Sequence, residues 1–270
     1  MIRLILKVML IPAIIILLWI VLSLPKIPAH RLKSECLRVG TKNILFTNRH
    51  KADILRDVIR EDLDIVLFLE FNGKNIGMES YRKHGYKVVV THPRLYTHGL
   101  LLLAKSDLHI SGTVEPLPVR GLCRLPFCIA RLIVNGKATV LLGVHLPPPI
   151  SRCEGSRQLA INYFAALLKK GRLRQDIKMA KKGDPVILFG DFNTISFESA
   201  LDTLYRAGLE DVYSRHHWQP GPTWSQPRWF PAIFRIDFIF IPFFYKSSGA
   251  WPVHINGSDH RGVTADIIIR

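Results

Sequence analysis

The sequence predicts a mixed α+β domain, with two mainly antiparallel β-sheets packed face to face, helices outside, and one N-terminal apolar helix ahead of them. Three observations lead there. Short apolar runs recur along the chain, some alternating with helical stretches and others joined as hairpins. That mixture points to sheets covered by helices. A single long uncharged segment stands apart from the pattern at the N-terminus.

With 270 residues, 48% of them hydrophobic, the chain can build one large domain. The uncharged stretch from Val8 to Pro25 is close to the length that crosses a bilayer. Arg3 and Lys7 precede it, and Lys26, Arg31 and Lys33 follow it. It is long for a signal-peptide core, and "KIPA" is a poor cleavage site. Residues 1–25 are therefore expected to form a single-pass membrane anchor, with a cleaved signal as the alternative. Residues 26–36 read as a basic linker and 37–270 as one domain. The flanking charges nearly balance and leave orientation open. A periplasmic or other extracytoplasmic domain is expected from the even cysteine count and the little chain ahead of the anchor. Cys36, Cys123, Cys128 and Cys153 form no CxxC pair and no zinc-type spacing. Cys123 and Cys128 are near enough to pair across a turn, although packed thiols are the favoured reading.

Within the domain, "CLRVGTKNILF" reads as the first strand, and "ADILRDVIRED" has helical spacing with Ile54, Val58 and Ile59 on one side. "DIVLFLEF" is a buried strand that runs into Glu70. "YKVVVTH" and "GLLLLAKS" form a strand pair, and "CIARLIVNGKATVLLGVHL" a hairpin turning at Asn135-Gly136. Residues 156–183 read as one increasingly basic helix, "PVILFGDFN" as a strand, and residues 199–213 as an amphipathic helix. "FRIDFIFIPF" and "VTADIIIR" are late strands.

Several apolar strands finish on polar side chains: Asn43, Glu70, His145, then Asp191 and Asn193. Asp237 interrupts another, and Asp259 and His260 occupy "GSDHRG". Each alone has a structural explanation as a turn, cap or satisfied core residue. Together they suit chemistry on phosphate. A hard cation such as Mg²⁺ takes carboxylate and amide oxygens, and an extended chain would aim Asp191 and Asn193 the same way. A histidine held by a buried aspartate, His260 by Asp237, can activate water.

The ordered set "KNILF", "VLFLE", "GVHLPP", "ILFGDFN", "RIDFIF" and "GSDHRG" resembles the endonuclease/exonuclease/phosphatase superfamily, over nearly all of residues 37–270. The resemblance implies an α/β four-layer sandwich that cleaves phosphoester bonds with Mg²⁺, or with Mn²⁺ or Ca²⁺ in its place. It implies Glu70 as the main metal ligand, with Asn43 and Asp259 beside it. Asp191 would handle the nucleophilic water or the leaving group, Asn193 and His145 would contact phosphate, and Asp237 would pair with His260. Abasic-site endonucleases usually carry Tyr at the place of His145 and a basic residue soon after the Glu, where this chain reads "EFNGK". That argues against abasic-site repair. The Asn43 motif also lacks the nearby Asp of some relatives.

Lys and Arg outnumber Asp and Glu by 37 to 21, a net charge of +16, which favours polyanionic partners. The basic run Lys169 to Lys182 can meet nucleic acid or lipid phosphates, or simply be a solvated face. "PGPTWSQPRWFP" puts Trp224, Trp229 and Phe230 on a loop beside the polar tips. Nucleic acid is the expected substrate and the membrane a partner through the N-terminal helix. Phospholipid headgroups or inositol phosphates are the alternative substrates, and a catalytically idle basic tethering module the third reading.

Overall fold

The computed structural model describes residues 36–118, 125–149, 154–226 and 230–269, together with 11, 12, 14, 15 and 18. Most of the expected membrane segment, and Cys123, Cys153 and Trp229, lie outside the described residues. Among those described, no helix is long and apolar enough to cross a membrane. Cys36 and Cys128 are buried thiols.

In chain order the strands are β1 (Cys36–Asn43), β2 (Ile65–Leu69), β3 (Tyr86–His92), β4 (Leu100–Lys105), β5 (His109–Pro116), β6 (Pro126–Val134) and β7 (Lys137–His145). Then follow β8 (Leu168–Lys169), β9 (Arg172–Leu173), β10 (Val186–Asp191), β11 (Leu209–Asp211), β12 (Asp237–Pro242), β13 (Lys246–His254) and β14 (Arg261–Ile268). The helices are α1 (Lys51–Arg60), α2 (Met78–Lys83), α3 (Glu154–Ala166), α4 (Asp202–Arg206) and α5 (Val212–His216). One six-stranded sheet has the order β13-β14-β1-β2-β4-β3 and the other β11-β12-β10-β7-β6-β5. Only β1/β2 and β10/β7 run parallel; every other named pair is antiparallel.

The apolar strands are explained by burial on both faces. In β2, Ile65, Leu67 and Leu69 point into the core between the sheets, while Val66 and Phe68 pack outward with Ile54 and Val58 of α1. In β10, Ile187 and Phe189 face the central core, and Val186 and Leu188 pack outward with Ile161 and Phe164 of α3. The strand period of two thus feeds three cores and yields four layers.

Two helical expectations are corrected. The helix expected over 156–183 ends at Ala166 and is followed by the β8–β9 hairpin. Lys170 and Gly171 turn it with φ of 52° and 72°, outside helical space. The helix expected over 199–213 breaks at Gly208, where φ is +92°, into a 3₁₀ turn with α4, then β11 and α5. A left-handed glycine ends a helix, and Asp211 caps the next by accepting from the Tyr213 and Ser214 amides. Strands β5 and β13 are unexpected; both are sheet edges, and β5 has little burial, so its apolar signal is weak.

Candidate active site

Sheet register assembles the first part of the site. Asp191 closes β10 and pairs with Asp237 at the start of β12 on one side and His145 at the end of β7 on the other. Three polar residues from three strands therefore stand side by side, about 4.8 Å apart from strand to strand. Gly190 permits the close approach: a Cβ there would lie 1.9 Å from the Val144 carbonyl oxygen, and φ is +139°.

The other sheet supplies the facing wall. Asn43 ends β1, and its Nδ2 donates to Glu70 Oε1 at 3.2 Å and to Asp191 Oδ2 at 3.1 Å, 3.4 Å from His260 Nε2. Glu70 sits just past β2 with φ of 62°, and its Oε2 accepts from the Phe46 amide at 3.0 Å. Burial raises its pKa, and the Asp259 charge adds to that. His260 Nδ1 lies 2.9 Å from Asp237 Oδ2, which leaves Nε2 facing Asp191 Oδ2 at 3.8 Å. The His260 amide donates to Ser258 Oγ, and that hydroxyl donates to the Asn43 carbonyl. Burial works to lower the His260 pKa, but the Asp237 charge and hydrogen bond, with Asp191 and Asp259, raise it. Burial and the Asp237 charge raise Asp191. Asp191, Asp237 and His260 thus form one buried cluster in which Asp191 and His260 hold their protons more tightly than usual.

Asn193 corrects one expectation. It is not a strand residue aligned with Asp191; its φ is 47°, and its amide donates to Asp191 Oδ1 at 2.8 Å. The chain turns there, Asn193 Nδ2 donates to the Leu146 carbonyl, and Arg157 donates to the Asn193 carbonyl. Asn193 still lines the cleft.

All eight expected residues, Asn43, Glu70, His145, Asp191, Asn193, Asp237, Asp259 and His260, come together. All but Asp237 line one cleft of about 630 Å³, and Asp237 stands directly behind His260. Trp224 lines the same cleft and donates its Nε1–H to Asp259 Oδ2 at 3.3 Å, so the aromatic loop does flank the site. Phe230, from the same loop, is 41% exposed.

Among the cleft residues that the sequence reading missed, with Thr97, Glu198 and Gln226, is His98, whose ring centroid is 4.7 Å from that of His145. Burial, the His98 charge and the His260 charge hold His145 well below the usual histidine range. Burial and Arg94 lower His98, against a hydrogen bond with the His145 backbone. Both rings are thereby shifted toward the neutral form. The sequence offers one faint signal for His98, its place before Gly99 at the head of an apolar strand; a Cβ on Gly99 would lie 1.8 Å from the Phe71 carbonyl oxygen.

Two groups can be asked about a metal. Asp191, Asp237 and His260 bring one donor atom each within 4.8 Å of one another. That trio is partly engaged by the His260–Asp237 bond and the Asn43 and Asn193 donors, while Asp237 Oδ1 is buried without a hydrogen-bond partner. Glu70 and Asp259 face the cleft, and Asp259 Oδ1 is buried without a hydrogen-bond partner. The all-oxygen pair Glu70 and Asp259, open to substrate phosphate and water, suits a hard cation better than a set that includes the His260 imidazole.

A family model described as Endonuclease/Exonuclease/phosphatase family matches residues 40–260, which contain every residue of the cleft. The chain belongs to that family. Its coarse activity is that of a phosphoester hydrolase. Similar folds are found in D. rerio TDP2 complexed with single-stranded DNA product (16% identity, TM-score 0.67, covering 87% of this chain and 99% of that one). Truncated Caenorhabditis elegans TDP2 is comparable at 18% identity and TM-score 0.67, covering 88% and 99%. A family protein from Bacteroides thetaiotaomicron has 17% identity and TM-score 0.63, covering 88% and 100%. No curated protein matches the chain.

Proposed function

We propose that this protein is a divalent-metal-dependent phosphodiesterase of the nuclease type. The observation that carries the reading is convergence: carboxylate, amide and imidazole groups from both sheets meet at one cleft. The net charge of +16 favours a polyanionic substrate. The DNA product bound by D. rerio TDP2 supports nucleic acid in a cleft of this fold.

Glu70 and Asp259 would hold the metal, Mg²⁺ or in its place Mn²⁺ or Ca²⁺, and Asn43, whose Nδ2 donates to Glu70 Oε1 while its Oδ1 accepts from the Leu45 amide, would orient that carboxylate. When bound, it would neutralise phosphate charge as a Lewis acid. The chain's own residues do the rest. Asp237 fixes the His260 tautomer so that Nε2 faces Asp191 and the cleft. Asp191 and His260 together hold and pass the proton taken from the attacking water. Neutral His145, 3.5 Å from Asp191 Oδ2, and Asn193 hydrogen-bond the phosphate. We also propose that residues 1–25 are a membrane anchor. Ile11, Ile14, Ile15 and Leu18 are helical and roughly half exposed or more, which supports an apolar surrounding for them.

The test is hydrolysis of plasmid and single-stranded DNA, RNA, phospholipid and inositol phosphate by the full chain with Mg²⁺. Nucleic acid should be cleaved, EDTA should abolish cleavage, and His260→Ala should lower kcat by ~10²–10⁴-fold. Headgroup release without nucleic-acid cleavage would replace the nuclease reading with the lipid one. A folded, metal-loaded chain that hydrolyses none of them would leave the tethering reading.

A further inference from the structure

The end of the sandwich opposite the cleft carries a second feature. Lys169, Lys170, Arg172, Arg174 and Lys182 line a groove of about 550 Å³ with Phe243 and Phe244. All five cations are exposed, and among the described residues none is paired with a carboxylate. Their acidic neighbours are engaged elsewhere: Glu115 pairs with Lys178, Asp184 with Arg131, and Asp176 accepts from the Lys182 amide. Phe243 is 48% exposed and Phe244 38%, with the Arg172 guanidinium 4.4 Å over the Phe244 ring.

The hairpin that presents these groups is fixed in place. The Gly171 amide donates to the Ala207 carbonyl and its own carbonyl accepts from the Val186 amide. A Cβ on Gly171 would meet both Gly208 and Pro242 at 2.8 Å. Strand direction then locates the groove. β10 runs from Val186 beside the hairpin to Asp191 in the cleft, and β12 runs back from Asp237, directly behind His260 at the cleft, to Pro242. Groove and cleft are therefore a strand length apart, roughly 17 Å.

The same end receives the N-terminal chain. β1 ends at Asn43 in the cleft, so its first residue, Cys36, lies at the groove end. Cys36 pairs with Ile268, and Ile268 pairs with Lys246, two residues after Phe244. Two strand spacings are roughly 10 Å. The chain that follows the uncharged segment Val8 to Pro25, with Lys26, Arg31 and Lys33 in its sequence, thus enters the described domain at Cys36, beside the groove.

We infer that this end of the sandwich docks on an anionic lipid surface and holds the catalytic cleft facing away from the bilayer. The inference rests on the anchor reading of residues 1–25 and not on the hydrolytic one. Clustered Lys and Arg beside a membrane segment are attracted by anionic headgroups, and exposed Phe rings gain by burying apolar area at the headgroup–acyl boundary. Nucleic acid fits the groove less well. A stacked base needs an open ring face, whereas Arg172 covers Phe244 and Phe243 meets Phe244 edge-on.

The test uses the full chain in nanodiscs of phosphatidylcholine alone or with phosphatidylglycerol, read by amide hydrogen exchange. Exchange over 168–174 and 243–246 should slow several-fold only in the anionic discs, and the slowing should vanish at high salt. K169E/K170E/R174E/K182E should lose it, and the four Lys or Arg to Gln changes should weaken it, with exchange of β10 and β12 unchanged as the check on folding. Equal exchange in the two discs would overturn the inference. So would protection of the cleft peptides in place of the hairpin, or hairpin protection by DNA in the absence of lipid. A chain that enters neither disc nor phosphatidylglycerol vesicles would overturn the anchor and the docking face together. Failure of hydrolysis would leave the exchange result standing.

Discussion

Glu70, His98 and Asn193 all have positive φ, at 62°, 68° and 47°, and all three line the cleft. Non-glycine residues adopt that region at a cost, and such positions gather at functional sites where surrounding structure holds them. Here the holding groups are visible: the Phe46 amide on Glu70, the Leu146 carbonyl on Asn193, and Gly99 pressed against the Phe71 carbonyl beside His98. The His98–His145 pair has a consequence for stability. Both pKa values are depressed on folding, so below the usual histidine value of 6.5 the unfolded chain binds more protons. Their contribution is fully present above about pH 6.5 and is lost as pH falls toward the folded values. The raised carboxylates Glu70 and Asp191 act in the opposite sense, so a difference measurement is needed. Urea denaturation of His98→Gln/His145→Gln, compared with the unaltered chain at pH 7.5 and pH 5, should show a smaller loss of stability in the variant on acidification. An equal loss would remove the pair as the cause.

Elements are set by what their ends must do. β7 and β10 run parallel through six registered residue pairs and finish together at His145 and Asp191. Gly190 is where that closeness is needed, since any side chain would strike the Val144 carbonyl. Gly190→Ala should destabilise the fold by more than ~1 kcal/mol and lower cleavage, seen as a lower urea midpoint together with a lower kcat. On the outer face of the other sheet, Lys42 is 1% exposed and pairs with Glu61 at 2.7 Å, which also accepts from Thr264 Oγ1. Glu61→Ala would strand a buried ammonium and should cost ~3–5 kcal/mol. Adding Lys42→Met should recover much of that loss, and a cycle with no such recovery would show that the pair does not act as a unit.

At the scale of the whole molecule, the four layers form because strands apolar on both faces must be covered twice. The cleft forms because β1, β2, β7, β10 and β12 all deliver residues to one end. Much of this was legible in the residues. The strands betray themselves by apolar runs, and the polar tips stand out because a buried strand seldom finishes on an unpaired charge. The basic segment after Ala166 was misread because Lys, Arg and Gln suit a helix face as readily as a hairpin. Only the packing of Gly171 against Gly208 and Pro242 selects the turn. His98 stayed hidden because a lone histidine ahead of a strand has no partner in sequence, and its ring meets His145 only across the fold. What the sequence determined by itself is the composition of the layers and the set of groups available for chemistry, since hydrophobic period and residue type are local properties. What the tertiary structure decided is which of those groups meet, which are neutral, and that the cationic groove lies at the end opposite the cleft. Register, burial and strand direction relate residues far apart in the chain, and no local pattern encodes them.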